Sequence, residues 1–417
     1  MNSELDRRGF LAACGRAGIV SPLLPGILYT LAAQAQEPNT GGKPPELPKI
    51  TAEMIDQAAT LAGVGPFTEE QKKMMLDGLN DQRGSYEPIR SMKLPNSVAP
   101  AYAFRPLPPG ATLQLSRQPK PTPRRADVSA PANIEDLAFA TIGELSALLR
   151  TRKITSLALT QMYISRLKRY DPKLHFAITI TEERALTKAK QADEEIAAGK
   201  YRGPLHGIPW GAKDLLAVKG YPTTWGAGGF EHQSFDEDAT VVQRLDAAGA
   251  VLVVKFTLGA LAMGDVWFGG RTRNPWNPAQ GSSGSSAGSA SGVAAGCVGF
   301  AIGSETLGSI SSPCTRCGAT GLRPTFGFVP RTGAMALSWT MDKLGPICRS
   351  VEDCAMVLDV IHGPDGKDMS VMDADFRWDP GFDWRLLRVG YLKSEFDPPE
   401  PFKPREAAPN ESAEDKK

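Results

Sequence analysis

The chain has 417 residues, 41% of them hydrophobic and 22% charged, the make-up of a soluble globular enzyme with a large buried core, which excludes collagenous, wholly disordered and membrane-bundle classes. Lys and Arg total 47 against 46 Asp and Glu, a net charge of +1. That balance gives no electrostatic footprint for nucleic acid or an acidic membrane surface, so a small-molecule substrate is expected.

Arg7 and Arg8 precede Gly9-Phe10-Leu11, and a mostly apolar stretch from Ala17 to Ala33 closes on Ala33-Gln34-Ala35. The pattern predicts a twin-arginine signal peptide over residues 1–35, and hence an exported, periplasmic or extracellular protein free of the membrane once cleaved. Gly18, Pro22, Pro25 and Gly26 interrupt the apolar run and argue against a membrane span. Residues 36–135 read as a linker and helical extension. Helical spacing covers Ile50–Leu61 and Thr68–Gln82, with Thr68 and Gln71 forming an N-terminal capping signature, and a proline-rich strap runs from Pro106 to Pro131.

From 136 to 395, helical patterns (Ile142–Leu149, Ser156–Arg169, Glu182–Ala198, Ala239–Ala248, Arg349–His362) alternate with short apolar runs (Ile208–Val218, Val251–Phe256, Cys297–Ile302) and a last strand at Leu387–Leu392. The alternation predicts the α/β class: a layered α/β/α domain with a central mixed, largely parallel twisted sheet. Residues 396–417, rich in proline and charge, read as a disordered tail.

The stretch Gly281–Ser312 carries the chemistry. Val293-Ala294-Ala295 and Val298–Ile302 inside it need a core to cover them, so it is no linker, and without Gly-Lys-Ser/Thr it is no phosphate loop. Gly284-Ser285-Ser286-Ala287-Gly288 fits a nucleophile elbow with Ser286 as nucleophile. However, Asn274–Pro278 cannot run as the strand an elbow must follow, and the only downstream histidine, His362, lies in a helical pattern. Lys213, inside the apolar run Ile208–Val218, can be kept neutral by burial and act as a base, whereas Lys219 fits a surface lysine. The six cysteines are too few for a disulfide scaffold. Cys314 and Cys317 lack a second ligand pair for zinc and are read as core-lining, with a disulfide open after export.

These segments resemble the amidase signature family. Ser283-Gly284-Ser285-Ser286-Ala287-Gly288-Ser289 stands where the family usually reads G-G-S-S-G-G-S, and Leu307-Gly308-Ser309-Ile310-Ser311 where it reads G-G-S-I-R. Asn274-Pro275-Trp276, Gly207–Asp214 and the Cys317–Thr325 stretch are similar too. The resemblance implies Ser309 as nucleophile, Ser285 as proton relay behind a cis peptide, and Lys213 as base. It also implies an oxyanion hole from the backbone of Thr306, Leu307, Gly308 and Ser309, support from Ser286 and Ser304, and neither metal nor cofactor.

An amide needs an activated nucleophile, a proton donor for the departing amine and donors for the oxyanion, so this set suits hydrolysis of a small-molecule carboxamide. The alternatives are an inactive binding protein on the same scaffold, or an amidotransferase A-type subunit that works on misacylated tRNA with partner subunits. The export signal argues against the second. Two departures stand out. Leu307 replaces a usual glycine and would be strained if that position needs a left-handed backbone, and Ser311 replaces an arginine that would pair with Glu305, leaving Arg316 as a candidate substitute. Met263, Trp267 and Phe268 are candidate pocket-lining residues. Family members continue beyond Leu392, so an open sheet edge here predicts a homo-oligomer or a weakly stable form.

Overall fold

The structure, a computed structural model, describes residues 48–92, 95, 128–376, 378–379 and 381–396. The predicted signal peptide, most of the proline-rich strap and the tail beyond Phe396 lie outside the described residues. The chain divides into two units, residues 1–100 and 101–417.

In the first unit, helix α1 (Ala52–Ala62) starts at Thr51, whose side chain accepts from Met54 N, and stops where Gly63 turns left-handed at φ 68°. Helix α2 (Glu69–Gly84) opens with the capping box that Thr68 and Gln71 predict, each side chain accepting from the other's backbone. Lys72 Nζ of α2 reaches Asp56 on α1 at 2.8 Å and ties the pair together. A short α3 (Tyr86–Ser91) follows.

The second unit is built on a six-stranded sheet. After a 3-10 turn at Ile134–Phe139 come α4 (Ile142–Arg150), α5 (Ser156–Leu174), β1 (Ala177–Ile180), α6 (Glu182–Ala197), β2 (Pro209–Lys213), α7 (Thr240–Ala247) and β3 (Val251–Phe256). A small hairpin of β4 (Val266–Trp267) and β5 (Gly270–Arg271) precedes α8 (Ala287–Ala294), β6 (Phe300–Glu305), α9 (Ser311–Cys317), β7 (Thr320–Gly321), β8 (Lys343–Cys348) and α10 (Val351–Ile361). A single turn, α11 (Lys393–Phe396), comes last.

The strand order is β1-β3-β2-β6-β8-β7. The mixed sheet gathers its parallel pairings at its centre, β3 with β2 and β2 with β6, and antiparallel strands flank them on both sides. Alternating residues feed two cores: Trp210, Ala212, Leu252, Phe300 and Ile302 pack with α4 and α10, while Val251, Val253, Phe256 and Ala301 pack with α5, α6 and α8. That is the layered α/β/α arrangement the alternation predicts.

The serine- and glycine-rich stretch 281–312 contains α8, the whole of β6, which the apolar run Cys297–Ile302 anticipates in part, and the first residues of α9. Gly288 lets α8 press on the sheet, since a Cβ there would stand 2.3 Å from Phe176 O and 2.6 Å from Thr257 N. The expected strand at Leu387–Leu392 does not form: these residues follow a 3-10 turn at Trp384–Leu386 and are exposed. An apolar run becomes a strand only where a sheet edge accepts it, and no strand of the described residues pairs with this one.

Candidate active site

β2 ends on Lys213, with its side chain fully buried. The ends of other segments converge on its Nζ: Ser285 Oγ at 2.8 Å, Ser286 Oγ at 3.1 Å and Ser304 Oγ at 2.9 Å, with Ser304 O at 3.4 Å. Ser286 Oγ donates to Ser304 O and accepts from Ser304 N, both at 3.1 Å. Its proton is therefore committed, and Ser286 faces Lys213 as an acceptor. Ser285 Oγ and Ser304 Oγ each have Lys213 as sole hydrogen-bond partner among the described residues, so both hydroxyls, unlike that of Ser286, are free to give a proton to the amine. Gly303 makes room for this cluster, because a Cβ there would stand 2.8 Å from Ser286 Oγ and 2.9 Å from Ile347 Cδ1.

Burial drives the Lys213 pKa well below the ordinary lysine range, against an upward pull from the Asp342 and Glu305 carboxylates. Among the described residues the ammonium form has no ion-pair partner, which favours a neutral amine. Lys219 is exposed and paired with Asp236 at 2.8 Å, the surface role its sequence context suggests.

Ser309 joins the cluster through the backbone: its carbonyl accepts from Ser286 N at 3.0 Å, and the Gly284–Ser285 peptide is cis. No hydrogen bond links the Ser285 and Ser309 hydroxyls among the described residues. The chain from Thr306 to Ser311 divides its amides. Those of Ile310 and Ser311 donate to Glu305 Oε2 at 2.8 and 2.9 Å, whereas those of Thr306, Leu307 and Ser309 meet no protein acceptor among the described residues. Burial alone would raise the Glu305 pKa, but the amides of Ser311, Ile310 and Gly308 and the Ser311 hydroxyl outweigh it and hold the carboxylate below its usual range. Leu307 carries no left-handed strain: Gly308 takes that conformation at φ 84°, and Leu307 points outward, 79% exposed. The cation beside Glu305 is Arg323, at 3.3 Å, not Arg316.

A cavity of about 450 Å³ opens beside Ser285, Ser304 and Thr306. Its far wall comes from the segment 331–342, including Met335, Leu337, Trp339 and Asp342, which carries no motif of its own and gives no signal in the sequence. Ser309, 9% exposed, is not among the lining residues. Met263, Trp267 and Phe268 are not among the residues that line this cavity: Met263 is 69% exposed, and the other two lie in the β4–β5 hairpin. His362 caps α10 and stacks on Phe328, away from the serine cluster.

Equally silent in the sequence is a fully buried ion pair one residue past Lys213, Asp214 Oδ1 to Lys255 Nζ at 2.6 Å. It anchors the loop at Pro222–Thr224 through Lys255 donating to Pro222 O and Thr223 Oγ1 and through Asp214 accepting from Thr224. The five described cysteines are buried free thiols, Cys314 and Cys317 included, and burial pushes the Cys317 thiol up to about 12. No His, Cys, Asp and Glu grouping suited to a metal occurs among the described residues.

A family model described as Amidase matches residues 158–410. Among curated proteins, the chain is 42% identical over 262 residues to the A subunit of a glutamyl-tRNA(Gln) amidotransferase from Methylococcus capsulatus, covering 61% of this chain and 54% of that protein. The protein of the same name from Thermoanaerobacter pseudethanolicus is 38% identical over 270 residues, covering 63% and 54%. The chain thus spans about half the length of the curated relatives it matches. Among solved structures, the native peptide amidase of Stenotrophomonas maltophilia superposes with a TM-score of 0.55 at 36% identity, covering 58% of this chain and 52% of that one. An amidase family protein from Bacillus anthracis gives 0.54 at 32% identity, covering 57% and 49%.

Proposed function

The chain belongs to the amidase family, and from that premise we propose that it hydrolyses the C–N bond of a small linear carboxamide through an acyl-enzyme on Ser309. The observation that carries this reading is the buried Lys213 amine, held below its ordinary pKa and set 2.8 Å from a serine hydroxyl whose proton nothing else claims.

Neutral Lys213 takes the proton of Ser285 as Ser285 takes that of Ser309, and the Ser309 oxygen attacks the carbonyl carbon. The tetrahedral oxyanion is met by backbone amides of the 306–309 turn, where those of Thr306, Leu307 and Ser309 are unclaimed among the described residues and that of Gly308 is drawn on by Glu305. As the C–N bond breaks, the proton returns through Ser285 to the leaving nitrogen. Water, deprotonated along the same path, then releases the acid from Ser309. Ser286 and Ser304 hold Lys213 in line. The relay requires the two hydroxyls of Ser285 and Ser309 to come into contact when substrate enters. Export through the twin-arginine signal at Arg7 and Arg8 is part of the proposal, as is the absence of a nucleic-acid partner.

The test is a fluorophosphonate probe. Ser309→Ala is expected to abolish labelling and Ser286→Ala to keep most of it, and the reverse pattern would restore the nucleophile-elbow reading. A second reading, an amidotransferase A-type subunit, draws on the names of the curated relatives. Ammonia release from glutamine without turnover of simple carboxamides would favour it.

A further inference from the structure

Asp342 enters none of the motifs, yet it sits where three parts of the site meet. It is 8% exposed and shares the cavity wall with Ser285, Ser304 and Thr306. Its Oδ1 accepts from Thr306 Oγ1 at 2.5 Å. Its Oδ2 accepts from the amides of Leu337 and Ser338 at 2.7 and 2.9 Å. One carboxylate thus fastens the segment whose amides stand unclaimed to the segment that forms the far wall of the cavity.

Resting on the proposed acyl-transfer reading, we propose that Asp342 is a positioning residue that holds Thr306 against the 337–342 wall and sets the pH at which Lys213 can accept a proton. The charged groups around the base make the sign definite. From β6 comes Glu305, whose charge is met by amides and by Arg323. From β8 comes Lys343, whose Nζ is spent on Thr306 O at 3.0 Å. Across the cavity, Arg331 is paired with Asp368 at 3.0 Å, and Lys367 lies exposed at the rim. Lys255 of β3 is paired with Asp214. α8 contributes serines and no charge. Among the described residues Asp342 accepts from neutral donors only, and no cation pairs with it within salt-bridge distance. It faces the same cavity as Ser285 and Ser304, two of the hydroxyls bonded to Lys213, so its charge acts on the amine more than that of Glu305 does. It opposes burial and keeps the base from being too weak to draw a proton.

Asp342→Asn can retain the three contacts, its amide oxygen facing Leu337 and Ser338 and its NH2 donating to Thr306 Oγ1, while removing the charge. The direct readout is the pH titration of the Lys213 13Cε resonance in lysine-labelled full-length protein, assigned by its loss in Lys213→Ala. The midpoint is expected to fall by on the order of one pH unit in Asp342→Asn, the low end of the shift that a nearby opposite charge gives. It is expected to stay in place in Thr306→Val, which keeps the charge and cuts one tie. If Asp342→Asn does not fold, Asp342→Ser makes the same comparison.

An unchanged midpoint in a folded Asp342 variant overturns the proposal. A midpoint that falls equally in Thr306→Val also overturns it, since loosened packing rather than lost charge would then be the cause. The titration needs no turnover. A protein that shows the shift but never labels Ser309 would defeat the proposed function and leave the electrostatic role of Asp342 standing.

Discussion

Replacing Lys213 with methionine should make the protein more stable and inactive at once. In the folded chain the amine is held well below its ordinary value near 10.5 by burial, whereas in the unfolded chain it is restored. Between the two values the unfolded state binds one proton more, so stability rises with pH across that window, by ~1.4 kcal/mol per pH unit, and is lost as pH falls through it. In a unit of this size that slope corresponds to roughly 2 °C of melting temperature per pH unit.

Methionine has a similar length, carries no proton to lose and leaves Ser286 and Ser304 bonded to each other. The variant should therefore melt above the parent on the acid side of the window, and the gap should close as pH rises. Lys255 is also held low by burial, offset by Asp214, but it is common to both proteins and cancels in the difference. Amide turnover in the same variant should drop by about 10²- to 10⁴-fold, the usual contribution of a general base, while Lys219→Ala should change little. Paired thermal melts across the pH range and hydrolysis assays decide it. Parallel melting curves with the variant below the parent throughout, or near-normal turnover, would refute a buried neutral base at this position.

Arg323→Ala should cost no more than about 1 kcal/mol, since the arginine is 53% exposed and Glu305 keeps its amide donors, and a melt shift much beyond that would show a larger role for the pair. Cys314 and Cys317 should resist alkylation in the native protein at mildly alkaline pH, because burial keeps both as thiols, and should react on denaturation, as mass spectrometry would report. Replacing Arg7 and Arg8 together with lysine should retain the precursor in the cytoplasm, as fractionation would show, and unchanged export would point to another route.

The residues most legible in the sequence are those whose environment is local. Thr68 and Gln71 announce α2 because a capping box is complete within four residues. β2 and β3 announce themselves because burial on both faces makes each run apolar but for a single lysine. Lys213, Ser285 and Ser304 are singled out by the resemblance to the amidase signature, and the structure sets them within hydrogen-bonding distance. What stays hidden depends on partners far along the chain. Asp342 looks like any loop aspartate until Thr306 is beside it. Lys255 looks misplaced in an apolar strand until Asp214 meets it. Leu387–Leu392 has the composition of a strand but lacks a described neighbour to pair with. Met263, Trp267 and Phe268 mislead because aromatic and sulfur-bearing residues suggest pocket lining wherever they fall, while the actual wall, 331–342, is chosen by chain path.

The contacts of Lys213 span 72 residues to Ser285 and 91 to Ser304. Parallel pairing of β2 with β6 must close a loop of that order before any of them can form, and such closure is slow compared with helix formation. On refolding, helical signal should therefore recover well ahead of the abnormal titration of Lys213. Until the central strands are in register, the amine sits in water, protonated and ordinary. The abnormal titration of Lys213 is thus acquired late, as a property of the completed sheet, and a nascent chain carries the lysine long before it carries a buried amine.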